Sequence, residues 1–330
     1  PACLLSIIFW LIPHFYRHHI LDRALPTLMQ ITMQNKFFSL VFLGLLLSGC
    51  ANSNQAQQSQ AQMSNLLLAE PAPMSVRSQM AIARYNQILE KAPLEDQERA
   101  ELLHQRGMLY DSVGLAGLAQ YDFDHAIRLK PDMAEAYNSL GVHYTQQMNF
   151  IQAYEAFDAT LDINPDYEFA FLNRGIALYY GGRADLAVND FSEFYRNDES
   201  DPYRALWSFI AHSELDQADA LITLSNNREN LDEDNWATHL VDLYLGRIDE
   251  QALLNALIQG VTSQQELTDR LCEAYFYLGK YNSALGNRGV ASNYFKLALS
   301  TNVFEYVEHR YARLELDMLR DKAVAESEEP

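Results

Sequence analysis

The stretch AEAYNSLGVHYTQQMNFIQAYEAFDATLDINPDY, residues 134–167, decides the fold because its features recur along the chain at a fixed period. Gly107, Gly141 and Gly175 are 34 residues apart, twice in succession. An alanine follows each glycine 12 residues later, at positions 119, 153 and 187, and a phenylalanine 16 residues later, at 123, 157 and 191. Self-similarity at a period of about 20 to 50 residues indicates a repeat architecture.

The recurring residues follow the tetratricopeptide pattern, in which each unit of about 34 residues forms two antiparallel helices. Units 100–133, 134–167 and 168–201 carry the pattern, and a fourth unit recurs out of register at 272–305. Because one unit cannot bury its apolar face alone, successive units stack on one another. We therefore predict an all-α fold, a right-handed tetratricopeptide superhelix of antiparallel helix pairs.

The segments outside the repeats predict further helices. Residues 74–99 are predicted to form N-terminal helices, residues 202–271 degenerate helical hairpins, and residues 306–330 a closing helix with an acidic tail. In the closing helix we expect one face to pack and another to face water. The packed residues are Tyr311, Leu314, Met318 and Leu319, and the solvated ones are Arg310, Arg313, Glu308 and Glu315.

The composition excludes several classes of protein. Lys and Arg number 24 and Asp and Glu number 44, so the net charge is −20. A field of this sign disfavours polyanions, and we predict no nucleic-acid partner. Three cysteines in 330 residues exclude a disulfide scaffold. Cys272 lies between apolar neighbours and is predicted to be a core residue rather than a reactive thiol.

No catalytic or metal-binding motif stands out in the sequence. The patterns H-E-x-x-H, G-x-S-x-G and S-x-x-K are absent, and the histidines lack the spacing of metal ligands. Gly279-Lys280 has neither the upstream glycine nor the following Ser or Thr of a phosphate-binding loop. We therefore predict a protein that is not an enzyme and that holds no metal or cofactor.

Residues 33–49 have the build of a secretory signal, with Lys36 preceding an apolar run from Phe37 to Leu46. Leu47-Ser48-Gly49-Cys50 follows and resembles the lipobox of bacterial lipoproteins, which implies lipidation of Cys50. Ala51, where inner-membrane lipoproteins carry Asp, favours the outer membrane. Residues 50–73 then comprise the lipidated cysteine and a flexible tether rich in Gln, Ser and Asn. Residues 1–32 are expected to be an extension upstream of the true start, for which Met33 is the preferred position and Met29 the alternative.

The first helix of each repeat is predicted to line a concave groove that binds a partner. The groove positions lie three residues before, one after and four after each repeat glycine. They are His104, Met108 and Asp111 in the first unit, Asn138, Val142 and Thr145 in the second, and Leu172, Ile176 and Tyr179 in the third. These side chains carry little positive charge, which disfavours capture of a C-terminal carboxylate. An extended or helical segment held by shape and apolar contacts is the better fit.

The third unit reads NRGIALYYGGR over residues 173–183, and later segments read FYLGKY over 276–281 and VEHRYA over 307–312. With the lipobox and the three repeats, these segments resemble the NlpI family of bacterial outer-membrane lipoproteins, from about residue 75 to residue 320. The amino-terminal extension and the Gln-rich sequence of the tether depart from that family. The resemblance implies a homodimeric adaptor, lipid-anchored in the outer membrane and facing the periplasm. Such an adaptor binds murein endopeptidases and a tail-specific periplasmic protease, and regulates peptidoglycan hydrolysis during cell-wall growth and division.

Two other functions are compatible with the same repeats. The first is a scaffold subunit of an outer-membrane assembly machine, whose lipoproteins also use this repeat. The second is an enzyme, such as a glycan hydrolase with acidic pairs in the groove. The proteins that co-purify distinguish the two scaffolds, and unaided cleavage of peptidoglycan by the purified chain would identify the enzyme.

Overall fold

The computed structural model describes residues 67–328. The predicted signal peptide, the lipidation site Cys50 and most of the predicted tether lie outside these residues. Within residues 67–328 the chain forms fourteen α-helices and one short 3-10 turn, and no strand. The predicted all-α class is therefore confirmed. None of these helices combines the length and the apolarity that crossing a membrane requires.

The helices follow one another with short connections. They are α1 Val76–Lys91, α2 Asp96–Ser112, α3 Ala116–Leu129, α4 Ala134–Gln146, α5 Phe150–Ile163, α6 Glu168–Tyr180, α7 Ala184–Asn197, α8 Pro202–Ser213, α9 Gln217–Asn227, α10 Thr238–Tyr244, α11 Glu250–Leu257, α12 Gln264–Ala284, α13 Arg288–Ser300 and α14 Val307–Glu328. The 3-10 turn, Arg228–Asn230, follows α9 directly.

The three predicted repeats are the hairpins α2–α3, α4–α5 and α6–α7. In each, the repeat phenylalanine of the second helix lies on the repeat glycine of the first. A Cβ placed on Gly141 would come within 2.5 Å of the Phe157 ring, and one on Gly175 within 2.8 Å of the Phe191 ring. The 16-residue spacing of glycine and phenylalanine thus places the ring of the second helix directly against the backbone of the first, which only glycine allows at this distance.

In two of these hairpins an ion pair joins the two helices. It links the residue just before the repeat glycine to the residue just before the repeat phenylalanine. Arg106 donates two hydrogen bonds of 2.7 Å to Asp122, and Arg174 donates two of 2.8 Å to Asp190. Both aspartates are buried. Bidentate Arg–carboxylate pairs are the strong and geometrically specific kind. The middle hairpin has apolar residues at the equivalent positions.

The hairpins of the second half begin at polar caps. Asp201 accepts from the Tyr203 amide at the start of α8, Asp216 caps α9, Asp249 caps α11 and Ser263 caps α12. Such side chains satisfy amide groups that lack partners within the helix. The fourth repeat is the hairpin α12–α13, where Gly279 meets Phe295. Its first helix begins at Gln264, well before the predicted unit start at 272, because Ser263 supplies the cap.

Helix α14 folds inward rather than closing the outer end of the stack. It packs on α4, α12 and α13. Arg310 forms a 2.7 Å ion pair with Asp111 of α2, and Tyr180 of α6 donates a 2.7 Å hydrogen bond to Glu315. Helix α14 therefore touches the first helices of all three repeats, on the inner face of the superhelix.

This position overturns three expectations about the closing helix. Arg310, Glu308 and Glu315 were expected to face water, and all three are largely covered. The reason is that α14 is enclosed on two sides, by the repeats and by the α12–α13 hairpin. Tyr311 and Leu314 are buried and Arg313 is exposed, as expected, whereas Met318 and Leu319, expected to pack, are only partly buried.

Residues 67–73, which we call the strap, lie against the C-terminal half of the body. The Tyr275 hydroxyl donates to the Leu67 carbonyl, Thr268 donates to the Glu70 carbonyl, and the Ala72 amide donates to the Thr301 carbonyl. The C-terminal end of the predicted tether is therefore in contact with α12 and with the end of α13.

Candidate functional site

The structure places the nine predicted groove residues in two groups. Val142, Thr145, Leu172 and Ile176 are buried, Asp111 is nearly so, and Tyr179 lies against Lys280. The remaining three, His104, Met108 and Asn138, are at least partly accessible, and Met108 is 46% exposed. Much of the predicted groove is thus covered by the chain itself, and binding of a partner by the accessible three stays a prediction.

The accessible residues join neighbouring repeats to each other. Asn173 donates a 3.1 Å hydrogen bond to Asn138, and Ser139 lies 3.5 Å from the Nε2 atom of His104. Burial lowers the pKa of His104, because it disfavours the charged imidazolium. These contacts are sufficient to explain the residues as parts of the stack.

Asp111 is the charged member of the covered group. It lies between Arg310, at 2.7 Å, and the Nε2 atom of His143, at 3.3 Å. Burial acts to raise its pKa, but His143 and Arg310 outweigh burial and the pKa of Asp111 is lowered. Asp111 therefore stays ionised and binds α14 to the first two repeats.

A second ion pair lies deeper, between α12 and α14. Lys280 donates a 2.6 Å hydrogen bond to Glu315 and a 2.8 Å hydrogen bond to the Tyr179 hydroxyl. Tyr180 donates to the same Glu315 oxygen, and the Lys280 ammonium lies 4.4 Å from the Tyr179 ring centroid. Burial acts to lower the pKa of Lys280, yet Glu315 and Tyr179 outweigh it and raise that pKa. The pair is ionised and joins α6, α12 and α14.

This ion pair forms part of the floor of a cleft of about 1000 Å³. Five aromatic rings and a set of aliphatic side chains line it. The aromatic residues are Tyr179, Tyr180, Phe209, Tyr244 and Tyr281, and the aliphatic ones include Ile210, Leu215, Leu221, Leu245, Leu285 and Met318. Among the described lining residues Lys280 is the single cation, while Asp185, Glu214 and Glu315 are acidic.

The cleft lies where the turns of several hairpins converge. Gly182, Gly246 and Gly286 have positive φ angles of 76°, 68° and 77°, and each makes the tight turn between two helices of one hairpin. Positive φ is strained for residues with a side chain, so glycine suits these turns. Leu215 and Leu285, which line the same cleft, are 54% and 58% exposed. Its opening therefore presents apolar side chains to solvent.

The charged pair on the floor of the cleft is engaged by its own contacts. Glu315 accepts hydrogen bonds from two donors, and Lys280 is held protonated, so neither is free to transfer a proton. Over residues 67–328, no three His, Cys, Asp or Glu side chains are grouped as a metal site would require. Cys272 is fully buried, as predicted, and burial raises the pKa of its thiol.

Of the nine predicted groove residues, only Tyr179 lines the cleft, so sequence reasoning missed the rest of this site. Many of the other lining residues belong to the degenerate hairpins at 202–271, where the repeat register that located the groove positions is lost. One usable signal is the recurrence of a glycine turn, since Gly182-Arg183, Gly246-Arg247 and Gly286-Asn287 each precede the second helix of a hairpin. These turns mark helix ends that face the same side of the stack.

No protein-family model matches the chain. Among solved structures it is similar to MamA, with 21% identity, a TM-score of 0.42, and coverage of 46% of this chain and 88% of that one. It is also similar to a tetratricopeptide repeat protein from Parabacteroides merdae, with 16% identity, a TM-score of 0.47, and coverage of 74% and 92%. A third similar structure is YrrB, described as a TPR protein with an unusual peptide-binding site, with 15% identity, a TM-score of 0.40, and coverage of 71% and 97%.

Proposed function

We propose that the chain is a protein-binding adaptor, whose aromatic cleft holds an apolar segment of a partner protein. The observation that carries this proposal is the open cleft of about 1000 Å³ with Leu215 and Leu285 exposed at its mouth. Concave sites lined by apolar and aromatic side chains with a few polar groups are typical of ligand binding. Glu214 and Asp185 give the cleft an acidic character, which favours a neutral or basic partner segment.

The sequence supports a more specific role for this adaptor. The lipobox and the segments shared with the NlpI family support an outer-membrane lipoprotein that works as a homodimer on the periplasmic side. Its partners would be murein endopeptidases and a tail-specific protease. Holding hydrolase and protease on one scaffold raises their effective concentration for each other, and so limits peptidoglycan hydrolysis without any catalysis by the scaffold.

The test is a pull-down from bacterial membranes with residues 51–330 as bait, followed by mass spectrometry. We expect murein endopeptidases and a tail-specific protease to be recovered together. Recovery of outer-membrane assembly components instead would support the alternative scaffold. Cleavage of peptidoglycan by the purified chain alone would contradict the adaptor proposal.

Matched variants assign the binding to the cleft. Leu215→Asp and Leu285→Asp change exposed side chains, so they should leave the fold intact. Each is expected to weaken recovery of a cleft-bound partner about tenfold, because burial of a leucine contributes about 1.5 to 3 kcal/mol. Ile222→Asp is the control, since Ile222 is 61% exposed on α9 and does not line the cleft. Equal recovery with all three variants would exclude the cleft.

A further inference from the structure

A second groove, between α13 and α14, differs from the aromatic cleft in its charge. Its volume is about 650 Å³ and its lining includes Leu299, Leu316 and Leu319. Only Leu319 borders both this groove and the cleft. The two sites therefore lie on different sides of the C-terminal part of α14.

Four basic side chains line this groove, which we call the basic groove. They are Arg288, Lys296, Arg313 and Arg320, and no carboxylate lines it among the described residues. Such a cluster is unusual in a chain with 24 basic and 44 acidic residues. Lys296 and Arg313 are exposed, and neither has a carboxylate within 4.0 Å in the part of the chain that the structure describes.

Several arginines elsewhere in the fold tie helices together. Arg106, Arg174 and Arg310 are each partly buried and paired with an aspartate at 2.7 to 2.8 Å. Within the basic groove, Arg320 pairs with Asp317 on its own helix, and Arg288 donates to the Leu319 carbonyl. Lys296 and Arg313 thus present positive charge to solvent instead of tying helices together.

Helix α14 continues to Glu328, so its backbone leads away from these two residues. At a rise of about 1.5 Å per residue, position 326 of the helix lies roughly 20 Å beyond Arg313 along the axis. The end of α14 itself therefore does not occupy this part of the groove.

We propose that the basic groove binds an acidic amphipathic helix of a partner protein. The leucines at 299, 316 and 319 would receive apolar side chains of that helix, and Lys296 and Arg313 would pair with carboxylates along its edge. An amphipathic helix in an apolar groove is a common mode of recognition. Another helix laid on α13 and α14 also continues the way in which repeat proteins stack.

The shape of the site favours a helix over a membrane surface. A flat layer of lipid headgroups would touch the exposed cations but would leave the apolar floor of the groove unfilled. An amphipathic helix can contact the leucines with its apolar face and the exposed cations with its carboxylates at the same time. The site is separate from the proposed cleft interaction, so the two sites would let one molecule hold two different partners at once.

The test uses the full chain and a fluorescent peptide of about 18 residues, five helical turns, with leucines at helical spacing and glutamates beside them. A matched peptide carries lysines in place of the glutamates. Fluorescence anisotropy measures binding of each. We expect the glutamate peptide to bind and the lysine peptide not to bind. Failure of the glutamate peptide to bind, or equal binding of both peptides, overturns the proposal.

Three variants locate the binding. Lys296→Glu and Arg313→Glu change exposed residues and are each expected to weaken the glutamate peptide about tenfold, as the loss of a complementary charge pair does. The control Arg84→Glu makes the same charge change on exposed α1 and should have no effect. Lys296→Glu should also improve binding of the lysine peptide. Circular dichroism establishes that each variant is folded.

Two further measurements address other occupants. The first is binding of the chain to phosphatidylglycerol vesicles. If Lys296→Glu abolishes binding to the vesicles but does not change binding of the glutamate peptide, the groove binds an anionic surface and the proposal is overturned. The second is sedimentation of the chain alone, which measures its oligomeric state. If Lys296→Glu changes that state, the groove binds a second copy of the chain and the proposal is likewise overturned. Leu215→Asp should leave peptide binding intact, which separates this test from that of the aromatic cleft.

Discussion

At the scale of single residues, the repeat glycines matter because they have no Cβ atom at the contact between two helices. Gly141 and Phe157 belong to the two helices of one hairpin, and a Cβ on the glycine would lie 2.5 Å from the ring. No ordinary contact between carbon atoms is that short, so either the ring or the helix must move. The close approach of α4 and α5 therefore depends on one missing methyl group.

Gly141→Ala is expected to lower the free energy of unfolding by about 1 to 3 kcal/mol, the usual cost of overpacking a core. Urea denaturation followed by circular dichroism measures it. The matched control is Gly117→Ala in α3, where an added Cβ meets nothing within 4 Å. That variant should be neutral or more stable, since alanine is the better helix former by about 1 kcal/mol. Equal losses in both variants would mean that the Phe157 contact is not the cause.

The Lys280–Glu315 pair gives a second prediction at this scale. Lys280→Met leaves the Glu315 carboxylate buried without its cation, and the variant should lose about 3 kcal/mol or more of stability. Guanidinium denaturation provides the measurement. Arg183→Met is the control, because Arg183 and Asp185 form a pair in which both side chains are more than half exposed. Its unfolding midpoint should not change, since exposed pairs contribute little. A stable Lys280→Met would show that the pair does not hold α14.

At the scale of elements, α14 shows where sequence patterns stop being informative. The spacing of Tyr311 and Leu314 predicts a helix with one packed face, and that face is packed. The same pattern carries no information on which elements cover the opposite side. Glu308 and Glu315 resemble a solvated face in sequence because their partners, on α6, α8 and α12, are far away along the chain. The hairpins were predictable because their contacts are local and periodic.

Two arginines on α14 test its position. Arg310 pairs with Asp111 and its Nε donates to the Phe304 carbonyl, whereas Arg313 is exposed. Arg310→Ala should cost about 1.5 to 3 kcal/mol, the range for hydrogen bonds to charged groups, and Arg313→Ala should cost almost nothing. Thermal unfolding of the two variants side by side measures the difference. If both variants match the unmodified chain, α14 does not lie in the inner groove in solution.

At the scale of the whole molecule, α14 lies in the groove, and repeat phase alone could not show which groove positions stay accessible to a partner. Repeat phase placed Asp111 on the inner face, where Arg310 of α14 pairs with it, whereas Val142 is buried within the repeats against Phe157 and Ala177. The aromatic cleft depends instead on Leu215, Tyr244 and Leu285, which belong to three different hairpins. No local sequence pattern predicts that these residues lie close together, because their proximity depends on how the irregular hairpins pack on one another.

A buried acidic pair makes the stability of the whole fold depend on pH. Glu273 of α12 accepts a 3.2 Å hydrogen bond from the Trp236 indole, and Glu308 lies in the first turn of α14. Burial raises the pKa of both carboxyls, and the charge of Glu308 adds to the rise for Glu273. Tyr203, Tyr277, Asp201 and Asp269 also act on the pair.

The raised pKa values fix the sign of the pH dependence. Above the ordinary glutamate pKa of 4.5 the unfolded chain releases protons that the folded chain still holds. The contribution of the pair to stability is therefore fully present below about pH 4.5 and is lost as the pH rises through the folded pKa values, about 7 for Glu308 and about 8 for Glu273. We expect the thermal midpoint to fall over this range, and Glu273→Gln to flatten the fall. Glu155→Gln, at an exposed position on α5, is the control. A midpoint that rises from pH 5 to neutrality would contradict the burial of the pair.

The strap has a mechanical consequence. Its hydrogen bonds join residues 67–72 to Thr268, Tyr275 and Thr301, in the last two hairpin helices before α14. A pulling force applied from the amino-terminal side of the strap would load these bonds before it reached α1. The force would thus act first on α12 and on the end of α13. The first repeat would carry load only after the hydrogen bonds of the strap had broken.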